Sequence, residues 1–566
     1  MAGFLLTNKT GGYFLSGVSS RYRGLYFRDH EAMFKVIDAI DSDGKIKEII
    51  NNFYNIEVVG AGFKGIFFMP HGHDSLVYEL DKEKKVELLL DCRESYDSSV
   101  WGKFYEITEE NEKIIVRFIK KQDEAEQFSL YLVIDKKDIV FSKKEAWVKQ
   151  HYILDEKRKS HPYEWFVYSA LKLKGKRIVF SVGKNKENAV KENDFVLRNL
   201  EKLKKKQKDY YKNLFSGVKI KEKGIQEKYK NAVAALDSLA CRIDNVLGVY
   251  AGLPWFFQFW SRDELVSVKS LARQKTAKKI LLHHLGDIAH DGRLLNIESS
   301  LDDKTNADSI GWLFKRLSGL SLNKKERSKI AQKLEFSISS IKKNFMQNGL
   351  IFNRALETWM DTNWENDTRE GFRIEIQAMF LFMLKLAYLL TKKKDYKKEE
   401  EAMKVLVREK FWNGMILADG LDDFTARPNL FIAAYFYPEL LTRQEWSLCF
   451  QYALSKLWLD WGGLATIDKN NRLFCKKYSG ETPVSYHRGD SWFWLNSLAA
   501  IVMHKNDPRR FKKYIDKIVK ANIHNISEGI VGCNPELSSA KELKSEGSLC
   551  QAWSNAMFIE LVDELY

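Results

Sequence analysis

Glu375 to Leu390 reads "EIQAMFLFMLKLAYLL". After Glu375 its one charge is Lys385, so a helix through this stretch is apolar on nearly every face. A bilayer span needs about 20 such residues, so the run is expected to be a helix buried on all sides within a folded protein. Two later stretches have the same character: "NLFIAAYFYPELL" from Asn429 and "DSWFWLNSLAAIVM" from Asp490. Between them lie helices of another kind. "KKERSKIAQKLEFSISSIKKNF" from Lys324 and "PRRFKKYIDKIVKANI" from Pro508 each carry one apolar stripe and one charged face.

From about residue 225 onward the apolar period stays helical. Segments are expected to begin near 225, 262, 276, 306, 324, 375, 397, 429, 443, 490, 508 and 551. Fully apolar and amphipathic members alternate. Six helices buried all round, alternating with six half-exposed ones, describe a double-walled (α/α)6 barrel. No repeat of fixed period points to a solenoid instead.

The first ~200 residues follow the period of strands instead. "KVELLLDC", "KIIVRFIKK", "FSLYLVID", "DIVF" and "RIVFSV" are rich in β-branched and aromatic residues, with turn-like "GAGFKG" and "LKGKR" among them. The fold class is therefore α+β and multidomain: an antiparallel β-sandwich over 1–197, then the barrel over 225–566. Between them, "RNLEKLKKKQKDYYKNLF" places Leu200, Leu203, Tyr210, Tyr211 and Leu214 on one face of a charged helix, read as a linker over 198–224.

Composition narrows the function. The chain has 566 residues with 45% apolar and 30% charged, as expected for a soluble globular protein. A net charge of +15 raises nucleic acid as a partner, but the lysines are dispersed and no nucleic-acid motif accompanies them, so neither nucleic acid nor membrane is expected. The six cysteines show no CxxC or zinc spacing, which suits reduced thiols in the cytoplasm, and "MAGFLLTNKTGGYF" lacks the pattern of a signal peptide. No metal or cofactor is expected: "PHGH" reads as a surface turn, and "GAGFKG" lacks the strand–helix setting of a phosphate loop. Fifteen tryptophans call for a large core or for flat platforms that stack on sugar rings.

Each apolar helix is led in by a polar and aromatic cluster. These are "PWFFQFWSRDE" (254–264), "TNADSIGW" (305–312), "ETWMDTNWENDTREGFRIEIQ" (357–377), "TARPN" (425–429), "SYHRGDSW" (485–492) and "NPELSSAKELKSEGSLCQAWS" (534–554). Parallel inner helices would bring all six to one rim. Helix capping explains an Asp308 or an Asp490. It does not explain Trp255, Trp260, Arg262, Trp359, Arg427, His487 and Trp492 in the same clusters. Indoles with carboxylates, arginine and histidine suit carbohydrate, with groups such as Arg262 and Asp263 holding neighbouring hydroxyls. Glycoside hydrolysis needs a protonated carboxyl and a second carboxylate. Asp361, between Trp359 and Trp364, is placed for the acid, because an apolar setting raises a carboxyl pKa. Glu536 is the candidate base, with Glu546 competing for the role.

In order, "PWF…WSRDE", "NADSIGW", "TWMD", "EIQA", "RPN", "YHRGDSWFW" and "QAWS" resemble the α-1,6-glucosidase part of glycogen debranching enzymes, in their short archaeal and bacterial form. The opening "TNKTGGYFLSGVSSRYRGLYF" resembles that family's β-domain. The resemblance implies inverting removal of α-1,6-linked glucose from glycogen or branched maltooligosaccharides, with Asp361 as acid and Glu536 as base. It also implies a sugar subsite lined by Trp260, Arg262, Asp263, Asp308, Glu375 and His487. The chain departs from the family where the usual "WGRDT" is "WSRDE" and where Gly-Thr-x-Trp-Pro-Trp is "GDSWFW". Another inverting α-glycosidase, of glucoamylase or trehalase type, and a non-catalytic glycogen binder are the alternatives.

Overall fold

The computed structural model describes residues 2–42, 44, 46–297 and 304–566. The chain divides into two compact units. One comprises 1–234, 238–247 and 527–533; the other comprises 235–237, 248–526 and 534–566.

The first unit is built on a 13-stranded sheet. Its backbone path runs Phe4–Thr7, Tyr13–Ser16, Gly24–Asp29, Ala32–Ser42, Ser75–Glu94, Glu164–Gly183, Ala125–Asp135, Lys113–Gln122 and Lys103–Glu110. The two 20-residue strands, Ser75–Glu94 and Glu164–Gly183, each serve both halves of the sheet. The first part of Glu164–Gly183 pairs with Val140–His151 and its last residues with Ala125–Asp135. The halves face each other across one core. Phe4 and Phe14 meet Phe67 with ring centroids 5.2 and 5.3 Å apart, although their strands are not neighbours.

Three readings of this half need correction. "LKGKR" is no turn: it lies inside Glu164–Gly183, where the register against Ser75–Glu94 slips between Gly175 and Arg177. A glycine inside a strand marks a bulge as readily as a turn, and local sequence cannot separate the two. The charged helix is not a linker confined to 198–224. It is α1, Lys186–Leu214, capped by the Asn185 side chain and packed on the sheet. Val196 and Leu200 bury against Phe68, Val77 and Val179. Buried Asn193 donates to the carbonyls of Val133 and Val179 and to Ser181 Oγ, and accepts from Lys113 Nζ at 2.9 Å. Nor does the boundary fall at 225. In α2, Lys223–Leu239, residues up to 234 belong to the first unit, as does the return segment 527–533.

Among the described residues of the second unit, eleven helices of seven residues or more follow in alternation: α3 Ser261–Ser267, α4 Gln274–Gly286, α5 Ser309–Ser318, α6 Lys324–Phe345, α7 Ile374–Thr391, α8 Lys394–Phe411, α9 Asn429–Phe436, α10 Arg443–Leu457, α11 Phe493–Asn506, α12 Lys512–Asn525 and α13 Ala552–Leu565. The odd members form a closed ring: α3 packs on α5, α5 on α7, α7 on α9, α9 on α11, α11 on α13, and α13 on α3. The even members pack outside it. The α7 segment has the length and apolarity of a membrane span, yet its place is the inner wall of this ring, buried on all sides over its first two turns, with exposure confined to its second half, where Leu389 faces out. Short strand pairs tie the lead-ins together, Gly252–Leu253 with Cys550–Gln551 and Ser491–Trp492 with Leu537–Ser538.

Replacing Asn193 by alanine removes three donated bonds inside the packed face of α1. We expect a loss of about 1–3 kcal/mol, read as a lower urea midpoint for the first unit.

Candidate functional site

The lead-ins of the inner helices meet through charged side chains. Arg262, in the first turn of α3, is buried and donates from Nε to both carboxylate oxygens of Asp308, at 3.0 and 2.9 Å. Its Nη1 donates to Asp361 Oδ2 at 3.1 Å. Three separate clusters therefore meet at one guanidinium. Asp308 stands at the N-terminus of α5 without capping it, because Asn306 Oδ1 accepts the Ser309 N–H instead. The capping explanation fails there for a stated reason: the carboxylate is turned onto Arg262. Arg262 does not pair with its neighbour Asp263, whose Oδ1 accepts from Gln551 Nε2 at 2.9 Å.

These carboxyls differ in their hold on protons. Burial pushes Asp263 up to about 8, with the charges of Glu536 and Asp361 adding to the effect against the pull of Arg262. Burial likewise raises Asp361 above the ordinary aspartate value, again opposed by Arg262. Its side chain keeps 32% exposure, so one side stays open to a ligand. Arg262 cannot fully hold Asp361 ionised, since both oxygens of Asp308 share the same guanidinium.

Glu536 is also buried. Tyr486 donates its hydroxyl to Oε1 in a short hydrogen bond, and the Ser548 N–H donates to Oε2 at 2.8 Å. The Tyr486 hydroxyl is held protonated by burial first, then by the charge of Glu536, and also by that of Asp361. Both carboxylates thus act on one phenol. Gly547 has a φ of +66°, and a Cβ there would lie 2.3 Å from Glu536 Oε2. Glu546 is arranged differently: its backbone pairs with Leu537, and its charge is felt by Asp490.

Aromatic rings back the carboxylates. Trp359 is buried and donates from Nε1 to Asn429 Oδ1 at 2.7 Å. Its ring meets His487, Trp492 and Trp494 edge-on at 5.3, 5.6 and 5.2 Å. Trp492 stacks on His487 at 5.2 Å. Burial, with Arg488 and Arg427 nearby, lowers His487 well below the usual histidine value and keeps it neutral. Trp260 is half-buried, and its indole N–H meets no acceptor among the described residues. Trp255 is buried in the turn closed by Gly252 and Phe256.

Two expected subsite residues stand further back. Glu375 gives both oxygens to Arg369, which also pairs with Asp419 at 2.9 Å. Burial raises Glu375 against Arg369. Asp419 is also buried, but Arg369, Arg373 and Arg427 together hold it below the ordinary value. Arg427 donates to Asp367 at 2.8 Å and to the His487 carbonyl at 3.2 Å. Among the described residues no group of three or more His, Cys, Asp or Glu is arranged to hold a metal ion.

A family model described as amylo-alpha-1,6-glucosidase matches residues 233–560, more than half of the chain. The chain belongs to that family. It is a glycoside hydrolase. A bacterial glucoamylase solved in complex with acarbose superposes with a TM-score of 0.64 at 12% identity, covering 99% of this chain and 93% of its own. At that identity the likeness shows the fold alone: an antiparallel β-domain followed by an (α/α)6 barrel. Among curated proteins, none matches this chain in sequence.

The departures from the family pattern are absorbed locally in this glycosidase. Glu264 turns away from Arg262, accepting the Val249 N–H at 2.5 Å and pairing with His284 at 2.9 Å. Ser261 Oγ bonds to Ser309 Oγ at 3.0 Å. In "SWFW", Trp494 stacks on Trp553 with centroids 5.0 Å apart. Tyr486, Gln551, Arg369 and Asp419 were not singled out from sequence. Tyr486 and Gln551 lie within the clusters "SYHRGDSW" and "CQAWS", but only contact across loops distinguishes them from their neighbours.

Two outcomes follow. Gly547→Ala should displace the Glu536 carboxylate and lower kcat by about a hundredfold, and, because the backbone there is left-handed, should also cost about 1–2 kcal/mol of stability, as steady-state kinetics on a glucoside and urea unfolding would show. Asp490, also pushed up to about 8 by burial, keeps its proton in the folded state where the unfolded chain has lost it. Its effect on stability therefore declines as pH rises from the ordinary aspartate range to about 8. Asp490→Asn should flatten the fall in melting temperature between pH 5 and pH 9.

Proposed function

We propose that the enzyme removes α-1,6-linked glucose branches from glycogen or branched maltooligosaccharides with inversion, Asp361 acting as general acid and Glu536 as general base. The observation that carries this reading is the single phenol of Tyr486, bonded to Glu536 and within the field of Asp361. It joins carboxyls from the two longest lead-in loops in one electrostatic cluster. Their environments suit opposite duties. Asp361 is raised above the ordinary aspartate value by burial, which favours a proton to donate to the leaving glycosidic oxygen. Glu536 accepts from Tyr486 and Ser548, so both of its oxygens are held in place by donors. In an inverting enzyme that carboxylate takes a proton from the water attacking the opposite face of the sugar.

The remaining groups suit a glucose ring at the rim. Arg262, Asp263, Asp308 and the neutral His487 offer donors and acceptors for hydroxyls, with Trp260 at their edge. Trp359 and Trp492 form the apolar wall behind, with Glu375 and Arg427 in the arginine–carboxylate layer that holds the loop 355–374. The family description, amylo-alpha-1,6-glucosidase, supports the linkage. The absence of CxxC spacing in the sequence supports a cytoplasmic site of action.

Glucose release from a branched limit dextrin tests the roles. Asp361→Asn and Glu536→Gln should each lower kcat by several orders of magnitude with little change in KM. The first glucose formed should be the β-anomer by polarimetry. A normal rate from Asp361→Asn would remove the assigned acid, and faster hydrolysis of α-1,4 than of α-1,6 oligosaccharides would replace the linkage by that of a glucoamylase-type enzyme.

A further inference from the structure

Trp101 is 86% exposed, the most exposed large apolar side chain in the described structure, and Phe104 beside it is 51% exposed. Leaving an indole in water forgoes a large burial gain. Surface tryptophans on ill-fixed loops need no explanation, but this loop is fixed. Lys120 Nζ donates to the Trp101 carbonyl at 2.8 Å and to Ser99 Oγ, and pairs with Asp97 at 3.5 Å. Asp97 in turn accepts the Ser99 N–H at 2.7 Å. Gly102 takes a φ of +73°, and a Cβ there would lie 2.0 Å from the Lys121 carbonyl oxygen, so the loop lies directly on the neighbouring hairpin. Lys121 N–H donates to the Gly102 carbonyl at 2.8 Å. The indole is held out by a braced support.

The support borders an open groove of about 1120 Å³ lined by this loop and the hairpin over 120–128. Beside Trp101 and Phe104 the groove presents the amides of Gln122 and Gln127, the carboxylates of Glu94, Asp97, Asp123 and Glu124, and two lysines, Lys120 tied to the Trp101 carbonyl and Asp97, and Lys121 lying over the Phe104 ring at 5.0 Å. That mixture decides between occupants. A protein partner favours an apolar patch whose centre is poor in charge, and nucleic acid meets four carboxylates against two lysines, of which Lys120 is already paired within the loop. A chain of glucose units offers apolar C–H faces for an aromatic ring and a rim of hydroxyls for amides and carboxylates.

We propose that this groove on the first unit is a second carbohydrate-binding site, in which Trp101 stacks on a glucose ring of an α-glucan chain while Gln122, Gln127 and Glu124 bond its hydroxyls. The proposal deepens the glucan reading above and rests on it for the identity of the sugar. Its role is to hold the polymer independently of turnover.

The test uses the full chain carrying Asp361→Asn, to suppress hydrolysis, with Trp101 intact, Trp101→Ala or Trp101→Tyr. Retardation in native gels containing glycogen, and calorimetric titration with maltoheptaose, give the affinities. Trp101→Ala should weaken glycogen retention about tenfold, the scale of one lost ring contact, while Trp101→Tyr keeps most of it. In the otherwise wild-type enzyme, Trp101→Ala should raise KM for glycogen and leave KM for a short branched oligosaccharide unchanged. Equal retention by Trp101 and Trp101→Ala overturns the proposal. So does a concentration-dependent dimer in sedimentation that Trp101→Ala abolishes, since a second copy would then be the occupant. Glucose release is measured in the same samples: hydrolysis persisting in Asp361→Asn would count against the catalytic assignment, whereas equal retention with and without Trp101 would count against this site, so the two failures give different results.

Discussion

A helix that is apolar on every face has no side to offer water, and several in one unit are satisfied only by enclosing one another. The odd helices α3 to α13 meet that constraint by closing into a ring, each packed on the next. The amphipathic even helices turn their stripes inward and their charges outward. Where the inner helices are enclosed, a charge within them needs a partner, as Lys385 has in Glu439 and Glu560 in Arg316, and most of their polar residues gather at the leading ends. The lead-in clusters are where such residues occur, and they meet at one rim.

Gathering so many charges at a rim with little water requires that they satisfy each other. Arg262 is shared between Asp308 and Asp361, and Arg369 between Glu375 and Asp419. The sharing is unequal, and the inequality has chemical consequences. Asp419, facing three arginines, is held ionised, whereas Asp263 and Asp361 are left with raised affinity for protons. Charge pairing that stabilises the rim therefore also sorts its carboxyls into proton-holding and proton-free groups. The aromatic wall of Trp359, Trp492 and His487 keeps the dielectric low enough for that sorting to persist.

Much of this was legible in sequence because burial on all sides leaves a mark in every residue of a helix. The starts of the helices and their alternation were readable for that reason, and so was the placing of Asp361, Glu536, Arg262 and His487 in converging clusters. Other features left no local mark. A glycine in "LKGKR" looks the same in a turn and in the bulge of a 20-residue strand. The charged helix near 200 looks like a linker until Val196, Leu200 and Asn193 are seen against the sheet. Arg262 and Asp263 are neighbours in sequence, yet Arg262 pairs with Asp308 and Asp361 and Asp263 with Gln551, because successive positions on a helix do not face each other.

The sequence by itself determined the two classes of unit, the alternation of buried and half-exposed helices, and the residue types available to the site, because each is a matter of local periodicity and composition. Tertiary structure alone decided which charges pair, which carboxyls keep a proton, and that Tyr486, Gln551 and Gly547 shape the surroundings of Glu536 and Asp263. Those properties depend on contacts between loops far apart in the chain, and on the loss of water when the loops close together, neither of which any local stretch of sequence records.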